Sequence, residues 1–202
     1  FDTRSRTISQ AAPLPYPTRI NAAAYLDGKI YVVGGGHRDW KTKQMKRSSL
    51  MAVYDIAANT WSLAPPMPSA KETTAVTYDG KIYVMGGYDG DKAVTSFEQY
   101  DPDTNAWTRL PDLPHPLSAH SATVWHDKLF TFGHYTNLTA TLVYDFKAQQ
   151  WQEADLPVAA SRHNQATTID DKVYVIGGLE PAVKVLDAIQ VFDESQLEEA
   201  AR

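Results

Sequence analysis

Four short polar runs carry most of the side chains in this sequence that could do chemistry. They read Arg19-Ile20-Asn21, Lys71-Glu72-Thr73, Ser118-Ala119-His120 and Arg162-His163-Asn164. Taken as rows, the first positions supply three cations and a hydroxyl, and the third supply amide, hydroxyl and imidazole groups. Glu72 and His163 lie between those rows. Guanidinium and amide donors brought together suit a carboxylate, a sugar or an acidic peptide segment. A second candidate is the stretch 36–49, GHRDWKTKQMKRSS, where Arg38, Lys41, Lys43, Lys46 and Arg47 surround Trp40. A basic loop with an aromatic at its centre suits recognition of an anionic group or an acidic partner.

Other chemistries lack their residues. The chain has no cysteine, so disulfides, thiolate-bound zinc and thiol catalysis are excluded. Its six histidines (37, 115, 120, 126, 134 and 163) never fall at HExxH or another paired metal spacing. No glycine-rich phosphate loop is present, so neither a metal nor another cofactor is expected. The net charge of −5 argues against a nucleic-acid or membrane-surface partner. No apolar run is long enough to cross a bilayer, and the cytoplasm is the expected compartment.

The polar runs are placed by a repeat. GKIYVVGG at 28–35 returns as GKIYVMGG at 80–87, DKLFTFGH at 127–134 and DKVYVIGG at 171–178. Aligned on Gly34, Gly86, Gly133 and Gly177, each copy is followed by an aromatic-Asp pair: Tyr54-Asp55, Tyr100-Asp101, Tyr144-Asp145 and Phe192-Asp193. Seven residues past the first three tyrosines stand Trp61, Trp107 and Trp151. The length varies only between glycine and tyrosine, as it does when surface loops hang on a fixed frame. Each copy holds four strand signals. The first strand is small, with Ala23, Ala75, Ala122 and Ala166 in phase. A turn such as Asp27-Gly28 or Asp79-Gly80 leads into the apolar octapeptide strand. A third strand ends at Tyr-Asp and a fourth starts at the tryptophan. Four short strands per unit of about 50 residues describe a propeller blade, and small residues on the first strand suit crowding at a ring's axis.

The double glycine, the Tyr-Asp and the tryptophan seven later resemble kelch repeats over almost the whole chain. The resemblance implies an all-β fold, a kelch-type β-propeller with four repeats, each a blade of four antiparallel strands. The repeats fall at about 16–62, 69–108, 117–152 and 160–193, within one domain, 1–193. The last repeat has Glu199 where its tryptophan would stand, in a polar C-terminal tail, 194–202, and Phe1-Asp2 sits in the phase of Tyr54-Asp55. The expected closure is therefore a ring latched by an N-terminal strand, 5–12, added to the last blade. The alternative is that these repeats are a segment of a larger, six-bladed propeller.

Alternation along each first strand puts the outer rows on one side and the middle row on the other, with one row converging on the channel mouth. The expected binding residues are Arg19, Asn21, Arg38, Trp40, Lys41, Lys71, Thr73, His120, Arg162 and Asn164. The kelch resemblance implies a non-catalytic module that binds a protein partner or a small anionic ligand through its loops and channel mouth. It also implies an alternative, because some kelch-like propellers are sugar-acid (sialic-acid-like) epimerases or mutarotases. For that chemistry Glu72, His120 and His163 would be acid and base, and Arg19, Lys71 and Arg162 the anchor. His134 stands where other copies have glycine and implies a changed local turn.

Overall fold

A computed structural model describes residues 1–180, 182 and 184–202. Local turn chemistry sets its first hairpins. Asp27 and Gly28 both hold positive φ (47° and 76°), as do Asp79 and Gly80 (46° and 69°), the geometry a two-residue hairpin needs to follow the strand twist. The first turn joins β1 (Ala22–Leu26) to β2 (Lys29–Val33) with Leu26 opposite Lys29. A separate hairpin, β3 (Gly36–Arg38) and β4 (Met45–Arg47), projects before β5 (Met51–Asp55) and β6 (Thr60–Ala64) complete the sheet. The second blade is β7 (Glu72–Tyr78), β8 (Lys81–Tyr88), β9 (Phe97–Asp101) and β10 (Ala106–Leu110). The third is β11 (Ser121–Trp125), β12 (Lys128–Phe132), β13 (Thr141–Asp145) and β14 (Gln150–Glu153). The fourth has three strands, β15 (Gln165–Ile169), β16 (Lys172–Ile176) and β17 (Ile189–Phe192).

The first strands line the axis and pack in the order β1, β7, β11, β15. Side chains alternate between the two faces of each sheet, and each face meets a neighbouring blade. Tyr31, Val33 and Met51 of the first blade pack against Ile82, Val84 and Tyr100 of the second. Tyr83, Met85 and Phe97 then meet Leu129, Leu142 and Tyr144 of the third. Phe130, Phe132 and Val143 meet Val173 and Val175 of the fourth. The fold is thus a four-bladed propeller arrangement with one core layer between each consecutive pair of blades. Among the described residues no comparable packing joins β15 back to β1.

The N-terminal latch does not form. Among the described residues, 5–12 pair with no strand of the fourth blade, which has three strands. The chain is held instead at the first blade, where the Trp61 indole donates to the Ala12 carbonyl (2.8 Å) and Ala12 N–H donates to Asn59 Oδ1 (2.8 Å). Trp107 treats the Pro65 carbonyl the same way (2.9 Å), so 12–16 is the first blade's equivalent of the strap at 65–67. Ahead of it, Asp2 accepts from the Arg4 and Ser5 amides and closes a turn bridged to Thr7. That turn folds the expected strand back on itself. The polar tail is a helix, α1 (Glu194–Ala200). Asp193 caps the Gln196 amide while the Gln196 side chain accepts from Asp193 N–H, a reciprocal box that satisfies two otherwise unpaired donors. Leu197 and Ala200 reach the core layer between the third and fourth blades.

Candidate functional site

The starts of all four first strands meet at one cavity of about 810 Å³, open to solvent, at the end of the propeller where the post-glycine loops emerge. The expected alternation fails there for a backbone reason. Ile20, Ala119 and His163, the middle positions of three runs, adopt left-handed φ of 52°, 57° and 56°. A left-handed residue breaks the extended zigzag that separates two faces, so both rows reach the cavity. Arg19, Asn21, Thr73, Ser118, His120 and Asn164 line it together with Glu72 and His163.

Several of these side chains are engaged. Thr73 donates to the Met85 carbonyl (3.0 Å). Asn164 is buried, accepting from Ser121 (2.5 Å) and donating to Ser161 (2.8 Å). Glu72 is held by Arg47 at 3.3 Å, with both side chains largely buried. His120 is buried at the cavity wall, and neither ring nitrogen closes a hydrogen bond among the described residues. Burial, with the nearby His134 and Lys71, pulls its pKa down to about 3. It is therefore neutral near neutral pH. His163 is exposed to the cavity, and partial burial followed by the Arg162 charge lowers its pKa, with Glu72 opposing.

Five of the expected binding groups do not line the cavity, and Lys71 departs furthest. It is completely buried, donating to Glu98 Oε2 (2.6 Å) and Ser96 Oγ (2.5 Å), while Ser69 donates to Glu98 Oε1 (2.9 Å). Burial lowers its ammonium pKa against the pull of Glu98. Arg162 lies over the Tyr135 ring (4.1 Å) and donates to the Tyr135 carbonyl (3.2 Å), so it reaches the site only through Tyr135, which does line the cavity. Arg38, Trp40 and Lys41 sit in the β3–β4 hairpin, where Asp39 accepts from the Lys41 and Thr42 amides. The tip is outside the cavity and Trp40 is 75% exposed.

The same hairpin supplies a residue the sequence hid among other basic ones. Arg47 and Met45, at its base, line the cavity. The Arg47 guanidinium lies over the Tyr88 ring (5.1 Å), and its Nε and one terminal nitrogen have no hydrogen-bond partner among the described residues. Tyr88 and Tyr135 both stand immediately after the second-glycine position, a shared phase that could have marked them.

His134 has a defined place. Gly87, its counterpart, holds φ of +114°, and a Cβ there would lie 1.9 Å from the Glu72 carbonyl. His134 is not among the positive-φ residues, so the turn is changed, as the sequence implied. Its Nδ1 accepts from the Ser118 N–H at 3.0 Å, fixing the start of β11. Burial lowers its pKa.

Comparison with known proteins gives consistent results. Residues 1–178 match the family model described as KLHDC2/KLHL20/DRC7 Kelch-repeats domain. The chain is 31% identical to Kelch-like protein terF of Aspergillus terreus, over 85% of this chain and 41% of that protein. It is 26% identical to alpha-scruin of Limulus polyphemus, over 92% of this chain and 22% of that one. It thus spans less than half the length of these relatives. A solved structure titled "Structure of YjhT" superposes with a TM-score of 0.71 over 91% of this chain and 84% of that chain, at 13% identity. That likeness concerns the fold alone.

Proposed function

The chain belongs to the kelch-repeat β-propeller family, and from that premise we propose that it is a non-catalytic interaction module whose channel mouth receives an acidic segment of a protein partner. One observation carries the reading. The four strand starts converge on a wide, open cavity where Glu72 is paired with Arg47 and His120 is neutral, while two cations, Arg19 and Lys92, and one carboxylate, Asp91, remain at its wall without an ion-pair partner among the described residues. Arg38, Lys41 and Lys43 add positive charge on the hairpin beside it, where Lys46 is paired with Asp39 (3.3 Å), in a chain whose overall charge is −5. Local charge opposite to the rest of the molecule steers an acidic partner to this face.

The sugar-acid isomerase reading fares worse on the same geometry. Glu72 is committed to Arg47, His120 cannot be a protonated acid near neutrality, and Lys71 is removed to the core. Among the described residues no helix is long and apolar enough to cross a membrane.

The test is fluorescence anisotropy with a panel of acidic peptides and their Asn/Gln counterparts. Acidic members bind, binding weakens with salt, and Arg19→Glu weakens it about tenfold or more. Equal binding of the neutral counterparts, or indifference to Arg19→Glu, overturns the reading. A melting-temperature rise with a free sialic or uronic acid, abolished by His120→Ala and by Arg162→Ala, would reinstate the isomerase.

A further inference from the structure

We propose that the outward face of the fourth blade docks a second copy of this chain, which presents the outward face of its own first blade. The chain already forms the same kind of interface three times, once between each consecutive pair of blades. Each sheet has a forward face, toward the next blade in chain order, and a backward face, toward the previous one. In the third blade the forward face is Trp125, Phe130, Phe132 and Val143, all under 5% exposed beneath the fourth blade. The same positions in the fourth blade are Ile169, Tyr174, Ile176 and Val191. They keep the apolar character but are uncovered among the described residues: Ile169, Ile176 and Val191 are 52%, 43% and 46% exposed, neighbouring Ile189 is 63% exposed, and Tyr174 is half-buried. Four large aliphatic side chains on one open sheet face form the kind of contiguous patch that marks an interface.

The matching half is on the first blade. The backward face that docks the second blade onto the first consists of Ala75, Ile82, Val84, Tyr100 and Trp107. The corresponding residues of the first blade are Ala23, Ile30, Val32, Tyr54 and Trp61, the same five residue types in the same order. The strap is reproduced too, since Trp61 holds Ala12 as Trp107 holds Pro65. Beside them Tyr25 is 61% exposed on the same face. Ala23 is exposed, Ile30, Tyr54 and Trp61 are half-buried and Val32 is buried, so a surface of the kind that completes this interface inside the chain recurs, partly open, at its other end. Because the two halves differ, the contact is heterologous. Two copies close it reciprocally, and more copies extend it head to tail.

Light scattering behind gel filtration tests this on the unaltered chain and on two variants. The unaltered chain runs at twice its own mass or a higher multiple. Ile176→Glu with Val191→Glu, on the fourth blade, returns it to one chain mass, and so does Tyr25→Glu on the first. An equimolar mixture of the two variants associates again, because each retains the half that the other lost. These positions are exposed, so the melts stay unchanged; if a glutamate pair does disturb the fourth blade, Ile189→Lys probes the same face singly. The proposal is overturned by a single chain mass at every concentration. It is equally overturned by an association that Tyr25→Glu leaves intact, which would mean fourth blade against fourth blade, or by failure of the mixture to associate.

Discussion

Arg19 and Lys71 hold the same place in their repeats, yet one faces solvent at the channel mouth and the other is wholly buried. The difference comes from a third residue. Two positions before each Tyr-Asp tyrosine, the first and third blades carry Ala52 and Leu142, and the second carries Glu98. Only there does a cation find a carboxylate inside the blade, with Ser96 and Ser69 satisfying the remaining valences. A buried charge survives only when paired and hydrogen-bonded, so the repeat sets where the chain goes and the counter-ion sets where the side chain goes. The strongest way to break the contrast is to remove one partner. Glu98→Leu or Lys71→Met alone costs about 3–5 kcal/mol of stability in urea unfolding. The double variant recovers most of that loss, and Arg19→Met changes stability by no more than about 0.5 kcal/mol. Additive single costs in the double variant would show that the two residues do not act as a pair.

A second contrast pits Gly87 against His134. At Gly87 a side chain is opposed both by φ and by the Glu72 carbonyl; at His134 the turn differs and the side chain is used. Gly87→Ala therefore costs about 1–3 kcal/mol from backbone strain alone, and crowding against the carbonyl adds to it. His134→Ala loses about 1 kcal/mol, the worth of its hydrogen bond from Ser118. Equal costs at the two sites would remove the distinction between their turns.

What the sequence made legible follows the same division. The phased glycines, Tyr-Asp pairs and tryptophans specify backbone, so four blades and a shared mouth could be read before any coordinates. Lys71 misled because Glu98, 27 residues away, lies outside the repeat pattern. Arg47 was hidden because its neighbours Lys43 and Lys46 look the same in a basic run, and only the pairing of β3 with β4 decides which of them faces the cavity. The failed alternation has a local cause invisible in residue type, since Ile20 has no side-chain reason to prefer left-handed φ. The helix at 194–200 was within reach: Asp193 and Gln196 spell a capping box directly before Leu197.

Histidines sharpen the comparison between the mouth and the surface. His120 titrates at about 3 in the folded chain against 6.5 unfolded. Between those values the unfolded chain binds the extra proton, so stability falls as pH drops below 6.5, by up to about 1.4 kcal/mol per pH unit. His134 and His163, also lowered by burial, act in the same direction. Measured above pH 5, before the carboxylates contribute, His120→Gln flattens this slope. An unchanged slope would place the proton-sensitive group elsewhere.

The smallest contrast is among the three tryptophans that mark the fourth strands. Trp61 and Trp107 donate to the carbonyls of Ala12 and Pro65, tying each outer strand to the strap that enters its blade. Trp151 packs edge-on to Phe97 (5.0 Å) and against Tyr144 (5.0 Å), but its buried N–H has no partner among the described residues. The same residue thus serves two physical ends: a ring that fills the layer between blades, and a donor that fixes a connection. Phenylalanine keeps much of the ring and discards the donor. Trp107→Phe is accordingly expected to cost about 1 kcal/mol more than Trp151→Phe, because it leaves the Pro65 carbonyl unpaired, whereas the change at Trp151 removes a donor that was already unsatisfied. If thermal melts rank the two substitutions equally, the tryptophan marks the repeat through its packing alone, and the indole bond to the strap contributes nothing to holding the blade.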